Sequence, residues 1–160
     1  MSTIDAPLPV APEVPGPAPH LLVVRAPYYT AIVDGLRDGA LRILAEAGAT
    51  HDLLDVAGAL ELASAISLAT GVAREFDGFV ALGCVVRGET DHYDHVCREA
   101  MAGLTQIALL QRLCIGNGLL TVHDEAQAIA RSGPDGHNKG AEAAAACLRQ
   151  IAAARWLAVL

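Results

Sequence analysis

Positive charge is scarce in this sequence, and Lys139 is its only lysine. Eleven Lys and Arg residues stand against 18 Asp and Glu residues, so the formal net charge is −7 and the pI is about 5.2. Binding to nucleic acid or to an anionic membrane surface depends on a basic patch. We therefore expect neither a nucleic-acid partner nor a membrane partner.

Long uncharged stretches and closely spaced cysteines are missing as well. No run of about 18 or more apolar residues is present, and no basic cluster precedes an apolar stretch at the start, so neither a transmembrane helix nor a secretory signal is expected. Cys84, Cys97, Cys114 and Cys147 show no CxxC spacing. The pattern predicts buried, reduced thiols in a cytoplasmic protein and disfavours a disulfide framework or a zinc site.

Apolar residues, by contrast, are plentiful. Of 160 residues, 53% are hydrophobic and 18% are charged, which excludes a disordered chain and allows one domain. Six of the eight prolines lie in the first 20 residues, which predicts a flexible arm at residues 1–20 and a folded domain at residues 21–160. Because small domains with surplus apolar surface often bury it against copies of themselves, we expect an oligomer.

Apolar runs and helical spacings alternate along the folded domain. Strands are predicted at residues 21–24, 51–56, 78–86 and within 115–122, and helices at residues 31–47, 61–69, 93–113, 125–131 and 140–160. This alternation is typical of an α/β fold with a parallel sheet covered by helices on both faces. Ligands of such folds bind outside the carboxyl ends of the strands, here the loops at 25–30, 56–61, 87–92 and 120–124.

The loop after the third predicted strand runs through Gly88 and Thr90 into a helix. Its backbone N–H groups suit an anion such as phosphate, although Thr90 or Asp91 acting only as a helix cap is an alternative. An imidazole at His92 suits proton transfer near neutral pH, with a plain surface histidine as the alternative. His92 and His95 could share one face of a helix, but the sequence offers no further cluster of metal ligands to complete a site with them. No metal site is therefore expected.

Aromatic and charged residues occupy other predicted loops. Tyr28 or Tyr29 could stack on a planar heterocycle, or could anchor its loop to the core. Glu61 opens a helix, where the dipole favours a carboxylate, and it could equally accept hydrogen bonds from ligand hydroxyls. Arg131 and Lys139 could hold an anionic substrate, and charges at helix ends beside a turn are the alternative.

Five segments together resemble the lumazine synthase (6,7-dimethyl-8-ribityllumazine synthase) family. They are VAGALE at 56–61, LGCVVRGETDHYD at 82–94, GLLTV at 118–122, EAQA at 125–128, and Arg131 followed by NKG at 138–140. The resemblance runs from about Leu21 to the final helix. It implies a flavodoxin-like three-layer sandwich with a four-stranded parallel sheet.

The resemblance also implies a reaction and an assembly. The family condenses 5-amino-6-(D-ribitylamino)uracil with 3,4-dihydroxy-2-butanone 4-phosphate, releases phosphate and water, and needs neither a metal nor an organic cofactor. Its active site lies between adjacent subunits of a homopentamer, and its members occur as pentamers, decamers or 60-mers. A non-catalytic flavin-binding or shell-forming relative, and a monomeric nucleotide-binding domain, are the alternatives.

Individual residues match the family's site. The resemblance implies that Tyr28 stacks on the pyrimidine, that His92 transfers protons, and that Arg131 and Lys139 come from the neighbouring subunit to the phosphate and the reacting centre. The other implied substrate contacts are Ala59, Leu60, Glu61, Val85, Val86, Glu89, Thr90 and Asn117. The chain departs from the family where Ala57 and Ala63 replace proline and where Pro27 replaces arginine.

Overall fold

The structure is a computed structural model that describes residues 8–72, 75–134 and 137–159. Its centre is a four-stranded parallel sheet in the order β2-β1-β3-β4. The strands are β1 (His20–Ala26), β2 (Thr50–Asp55), β3 (Gly78–Val86) and β4 (Ile115–Val122). The helices are α1 (Thr30–Glu46), α2 (Glu61–Ala69), α3 (His92–Leu110), α4 (Glu125–Ser132) and α5 (Lys139–Leu157), and a 3-10 turn covers Pro27–Tyr29. The predicted α/β architecture is confirmed.

Alternation along the inner strands produces two apolar layers, one on each face of the sheet. Val23 of β1 and Val80 of β3 join the cluster under α1 and α5, which contains Leu36 and Leu148. The neighbouring strand residues, such as Val24, point to the opposite cluster under α2 and α3. Successive side chains of a strand face opposite sides, so strands buried on both faces become continuous apolar runs.

Most element boundaries lie within one residue of the sequence prediction, and three differ from it by two residues or more. Strand β1 extends to His20 and Ala26 because it pairs with both β2 and β3. Helix α3 ends at Leu110 rather than 113, and Arg112 just beyond it has a φ of 54°. Helix α5 ends at Leu157, and residue 160 lies outside the described part of the chain. No helix within the described residues has both the length and the apolarity needed to cross a membrane.

The proline-rich segment contacts the body of the protein between Leu8 and Pro19. Ala11 and Val14 pack against the cluster under α1 and α5, and Pro9 is buried. Arg155 of α5 donates through Nη1 to the carbonyl oxygens of Pro15 and Pro17 at 2.8 and 2.7 Å. The division at residue 20 and the flexibility of the arm stay predictions, and residues 1–7 lie outside the described part.

The cysteines are less uniformly buried than predicted. Cys84 and Cys147 are buried, whereas Cys97 and Cys114 are partly exposed, and all four are free thiols. The prediction of burial was wrong for Cys97 and Cys114. Cys97 lies on α3, where Val96, Ala100 and Leu104 form the buried stripe, and Cys114 lies before the first residue of β4.

Candidate active site

A cavity of about 410 Å³ opens at the carboxyl ends of β1, β2 and β3, where the fold prediction places a ligand. Its walls come from the turn after β1, the loop after β2, the end of β3 and the start of α3. The lining residues are Tyr28, Tyr29, Ala57, Gly58, Ala59, Leu60, Glu61, Cys84, Val85, Val86, His92 and Val96. Seven of the predicted site residues therefore share one cavity.

Two tyrosines form the wall that follows β1. Pro27 begins the 3-10 turn because its fixed φ suits the first position, and the Thr30 hydroxyl donates to the Pro27 carbonyl oxygen at 3.1 Å. Tyr28 is 78% exposed, and its ring meets that of Tyr29 edge-on with 5.2 Å between centroids. Burial is the largest of the influences that raise the pKa of the Tyr29 phenol. Tyr28 thus offers a free aromatic face, supported from behind by Tyr29.

The loop after β2 forms the facing wall. The backbone N–H of Val56 donates to the Arg25 carbonyl oxygen at 2.8 Å, and that of Glu61 donates to the Gly58 carbonyl oxygen at 3.2 Å. This tight turn ends where α2 begins, so the Glu61 carboxylate sits in the first helical turn, beside the positive end of the dipole. Ala57 and Ala63 stand where the family resemblance predicts proline, and the turn forms with alanine at both positions.

The end of β3 forms the floor. Pairing between β1 and β3 ends at Gly83, because β1 turns away at Pro27, while pairing with β4 continues to Val86. The β1-side edge of Val85 and Val86 therefore faces the cavity instead of a strand. Beneath them, burial raises the pKa of the Cys84 thiol to about 11, which keeps this cavity-lining thiol neutral near pH 7.

The loop between β3 and α3 is exposed, and Glu89 and Thr90 lie on it outside the cavity lining. No side chain caps α3, so the proposed capping role of Thr90 or Asp91 is not seen. Arg87 anchors the base of the loop: its Nη2 donates to Asp94 Oδ2 at 3.0 Å. The start of α3 thus remains open for an anion.

His92 opens α3 and lines the cavity. His95, one turn further, is 2.7 Å from Arg98 through its Nδ1 and points to a different partner. Within the described ranges, no group of three or more His, Cys, Asp or Glu side chains is arranged to hold a metal ion. Of these two histidines, only His92 lines the cavity.

The remaining predicted residues lie elsewhere in the chain. Asn117, Arg131 and Lys139 line a second hollow of about 230 Å³ along β4, the edge strand. Lys139 Nζ contacts Glu142 Oε2 at 2.6 Å, and Arg131 Nη1 donates to the Gln127 carbonyl oxygen at 2.9 Å. Within one chain, Arg131 and Lys139 therefore lie apart from the cavity that Tyr28 and Tyr29 line.

Asn138, for which the sequence predicted no role, lies directly before Lys139, one of the residues that line this second hollow. It is 4% exposed, and its Oδ1 caps α5 by accepting from Gly140 and Ala141. Its Nδ2 donates to the Ser132 carbonyl oxygen at 2.8 Å, which ties the end of α4 to the start of α5. An asparagine just before a predicted helix was the available signal. Cys84 and Val96 also line the cavity without having been predicted.

Comparison with known proteins identifies the family. Residues 18–155 match the family described as 6,7-dimethyl-8-ribityllumazine synthase. A protein of that name from Paramagnetospirillum magneticum (strain ATCC 700264 / AMB-1) is 47% identical over 143 residues, which cover 86% of this chain and 95% of the relative. Those from Bartonella tribocorum (strain CIP 105476 / IBS 506) and Agrobacterium fabrum (strain C58 / ATCC 33970) are 46% and 47% identical, covering 84% and 83% of this chain and 89% and 93% of the relatives. The resemblance noted in the sequence is confirmed, and the chain belongs to the 6,7-dimethyl-8-ribityllumazine synthase family.

Proposed function

We propose that this protein is the transferase of riboflavin biosynthesis that condenses 5-amino-6-(D-ribitylamino)uracil with 3,4-dihydroxy-2-butanone 4-phosphate. The products are 6,7-dimethyl-8-ribityllumazine, inorganic phosphate and water. One observation carries the proposal: the cavity at the strand ends combines an exposed aromatic ring, a carboxylate at a helix start and an imidazole, at Tyr28, Glu61 and His92. Membership of the family supports the same reaction.

The pyrimidine substrate occupies the cavity in this proposal. Its ring stacks on Tyr28, and its polar edge meets the unpaired backbone edge of Val85 and Val86. The ribityl chain lies along the wall formed by Ala59, Leu60 and Glu61, where a carboxylate and backbone groups can accept and donate hydrogen bonds to its hydroxyls. The volume of about 410 Å³ lies in the range of small-molecule sites.

The phosphorylated ketone binds at the start of α3. The loop with Glu89 and Thr90 supplies backbone N–H groups and a hydroxyl, and the helix dipole favours the negative phosphate. Because Glu89 is itself acidic, this loop needs an added cation. Arg131 of a second copy supplies it, since a guanidinium binds phosphate through two parallel hydrogen bonds.

The reaction needs positioning and proton transfer. The primary amine attacks the ketone and forms an imine with loss of one water. Elimination of phosphate leaves an enol, which tautomerises to a second ketone. The ribitylamino nitrogen attacks that carbonyl and closes the ring with loss of a second water. Holding both substrates in contact can supply most of the acceleration. His92 moves protons between the reacting groups, and Lys139 of a second copy stabilises developing negative charge near the pyrimidine. The neutral Cys84 thiol takes no covalent part.

We propose further that the working unit is a homopentamer, with a decamer and a 60-mer as the larger alternatives. Two features support self-association. Arg131 and Lys139 lie outside the cavity they are assigned to serve, and large apolar side chains at Leu68, Leu109 and Leu110 are exposed. The cytoplasmic location expected from the sequence stays a prediction.

The test is a synthase assay on purified protein. Lumazine fluorescence is followed after the two substrates are mixed, and the uncatalysed condensation is subtracted. We expect turnover above background for the wild type, a fall in kcat of about a hundredfold for His92→Ala, and wild-type turnover for His95→Ala on the same helix. A well-folded protein without turnover above background contradicts the proposed function and favours a binding or shell-forming relative.

A further inference from the structure

Arg25 is a largely enclosed cation at the end of β1, on the face of the sheet that α1 covers. Its side chain is 13% exposed. Nε and Nη2 donate to Asp55 Oδ1 and Oδ2 at 2.7 and 2.8 Å, and Nη1 donates to Asp34 Oδ1 at 3.1 Å. The guanidinium therefore grips one carboxylate through both its oxygens and reaches a second carboxylate from another element.

The two carboxylates belong to the elements that carry the facing walls of the cavity. Asp55 is the last residue of β2 and directly precedes the loop that ends at Glu61. Asp34 lies in the second turn of α1, which begins immediately after the turn that holds Tyr28. The Arg25 carbonyl oxygen also accepts from the Val56 N–H at 2.8 Å. One residue thus bonds to both sides of the cavity.

The hydrogen-bond geometry of Arg25 fixes the distance between the elements it joins, in addition to the attraction between opposite charges. A planar guanidinium bound to a carboxylate by two parallel hydrogen bonds fixes direction as well as distance, which an ammonium group cannot do. Arg37 donates to the same Asp34 oxygen at 2.7 Å, so two guanidinium groups share this carboxylate. An isolated exposed ion pair contributes little, whereas this guanidinium is largely enclosed and is shared by two partly exposed carboxylates.

We propose that Arg25 is a positioning residue that sets the separation between the Tyr28 wall and the Glu61 wall, and thereby the affinity for the ribitylamino-pyrimidine. The inference rests on the proposed function, because it assigns that substrate to this cavity. It does not extend to the phosphorylated ketone. The loop with Glu89 and Thr90 follows β3, and Arg87 with Asp94 anchors it independently of Arg25.

The two substrates provide a readout that a purely structural role would not produce. Arg25→Gln removes the charge and the pair of parallel hydrogen bonds to Asp55, which we call the Arg25–Asp55 fork. We expect the KM for 5-amino-6-(D-ribitylamino)uracil to rise about tenfold. The KM for the phosphorylated ketone is expected to stay within about twofold. Arg25→Lys keeps the charge without the fork, so its pyrimidine KM should lie nearer to that of Arg25→Gln than to the wild-type value.

A matched control and a milder variant complete the experiment. Arg37→Gln breaks the ion pairs of the neighbouring arginine, retains all three Arg25 hydrogen bonds, and should leave both KM values unchanged. Asp34→Asn retains both Arg25 hydrogen bonds to Asp55 and weakens the Arg25 bond to α1, together with the Arg37 ion pair that the Arg37→Gln control removes by itself. It should raise the pyrimidine KM about threefold even if Arg25→Gln fails to fold.

Binding of the product 6,7-dimethyl-8-ribityllumazine, titrated by fluorescence, gives a second readout that needs no turnover. We expect its Kd to rise in parallel with the pyrimidine KM. The inference is overturned if an active wild type and Arg25→Gln share the same pyrimidine KM and product Kd. An equal rise in both substrate KM values overturns it too. Absence of turnover in the wild type is a separate result, which counts against the proposed function.

Discussion

Replacing Asn138 by alanine is expected to be the most damaging single polar truncation between α4 and α5. The side chain joins three parts of the protein: it caps α5 and donates to carbonyl oxygens of α1 and of the segment ending α4. The acceptors of Nδ2 are the carbonyl oxygens of Gly35 and Ser132, both at 2.8 Å, and Gly133 at 3.1 Å. Alanine removes all these bonds, and because the site is buried, the groups that lose their partner are shielded from bulk water.

The cost follows from counting the bonds. Loss of an N-cap asparagine costs about 1 kcal/mol. The amide nitrogen carries two hydrogens, so its three contacts amount to two full hydrogen bonds, each costing about 1 kcal/mol when a buried acceptor is left unpaired. We therefore expect Asn138→Ala to lower the free energy of unfolding by about 3 kcal/mol.

Urea denaturation at one fixed protein concentration measures this cost, since an oligomer's stability depends on concentration. The midpoint should fall with an unchanged m-value. Asp124→Ala is the matched control, because Asp124 caps α4 on the surface by accepting from the Gln127 N–H at 2.9 Å. It should cost about 1 kcal/mol. Equal midpoints for the two variants would refute the assignment of Asn138 as the link between α4 and α5.

Three further changes have defined outcomes. Arg131→Ala should raise the KM for the phosphorylated ketone about a hundredfold, with little change in the KM for the pyrimidine. Steady-state kinetics with each substrate varied in turn measure both values. If the variant and the wild type have the same KM for the phosphorylated ketone, Arg131 does not belong to the phosphate site. Gly140→Ala should prevent stable folding, because a Cβ there would collide with the Leu36 carbonyl oxygen; circular dichroism with a wild-type melting curve would contradict that contact. Burial raises the pKa of Cys84 to about 11 and of Cys147 to about 12, so thiols that ionise near pH 9 when unfolded stay protonated when folded. Stability should therefore fall from about pH 9 upward, and urea titrations of Cys147→Ala should show a shallower fall; an identical slope would contradict the protonated thiol.

Continuous patterns in the sequence made most of the fold predictable. Strand β3 is apolar throughout and buried on both faces, so neither its length nor its type was ambiguous. The end of helix α3 was predicted three residues too late, because the apolar spacing from Leu110 to Leu113 continues past Arg112, where the backbone turns. The end of a helix depends on backbone conformation, which apolar spacing does not encode.

The site residues that directly follow a strand end could be predicted from the sequence. The contacts between residues far apart in the chain could not. Tyr28, Glu61 and His92 each lie in a loop that the predicted topology brings to one edge. The Arg25 fork and the Asn138 hydrogen bonds join residues 30 and 103 positions apart in the chain. No local pattern reports such pairs, because they form only when α1, α5 and the sheet have packed. The interfacial position of Arg131 and Lys139 came from the family resemblance and stays a proposal.

Subunit complementation tests most directly the proposal that two copies of this chain build one synthase site. His92→Ala damages the half with the cavity, and Arg131→Ala damages the half that a second copy contributes. In oligomers refolded from an equal mixture, a site is intact where a subunit that keeps His92 meets a neighbour that keeps Arg131. Random mixing gives this arrangement at about one quarter of the interfaces, so about a quarter of wild-type turnover should be recovered. Mixed oligomers, verified by native mass spectrometry, with no more turnover than either variant alone would contradict a site shared between subunits.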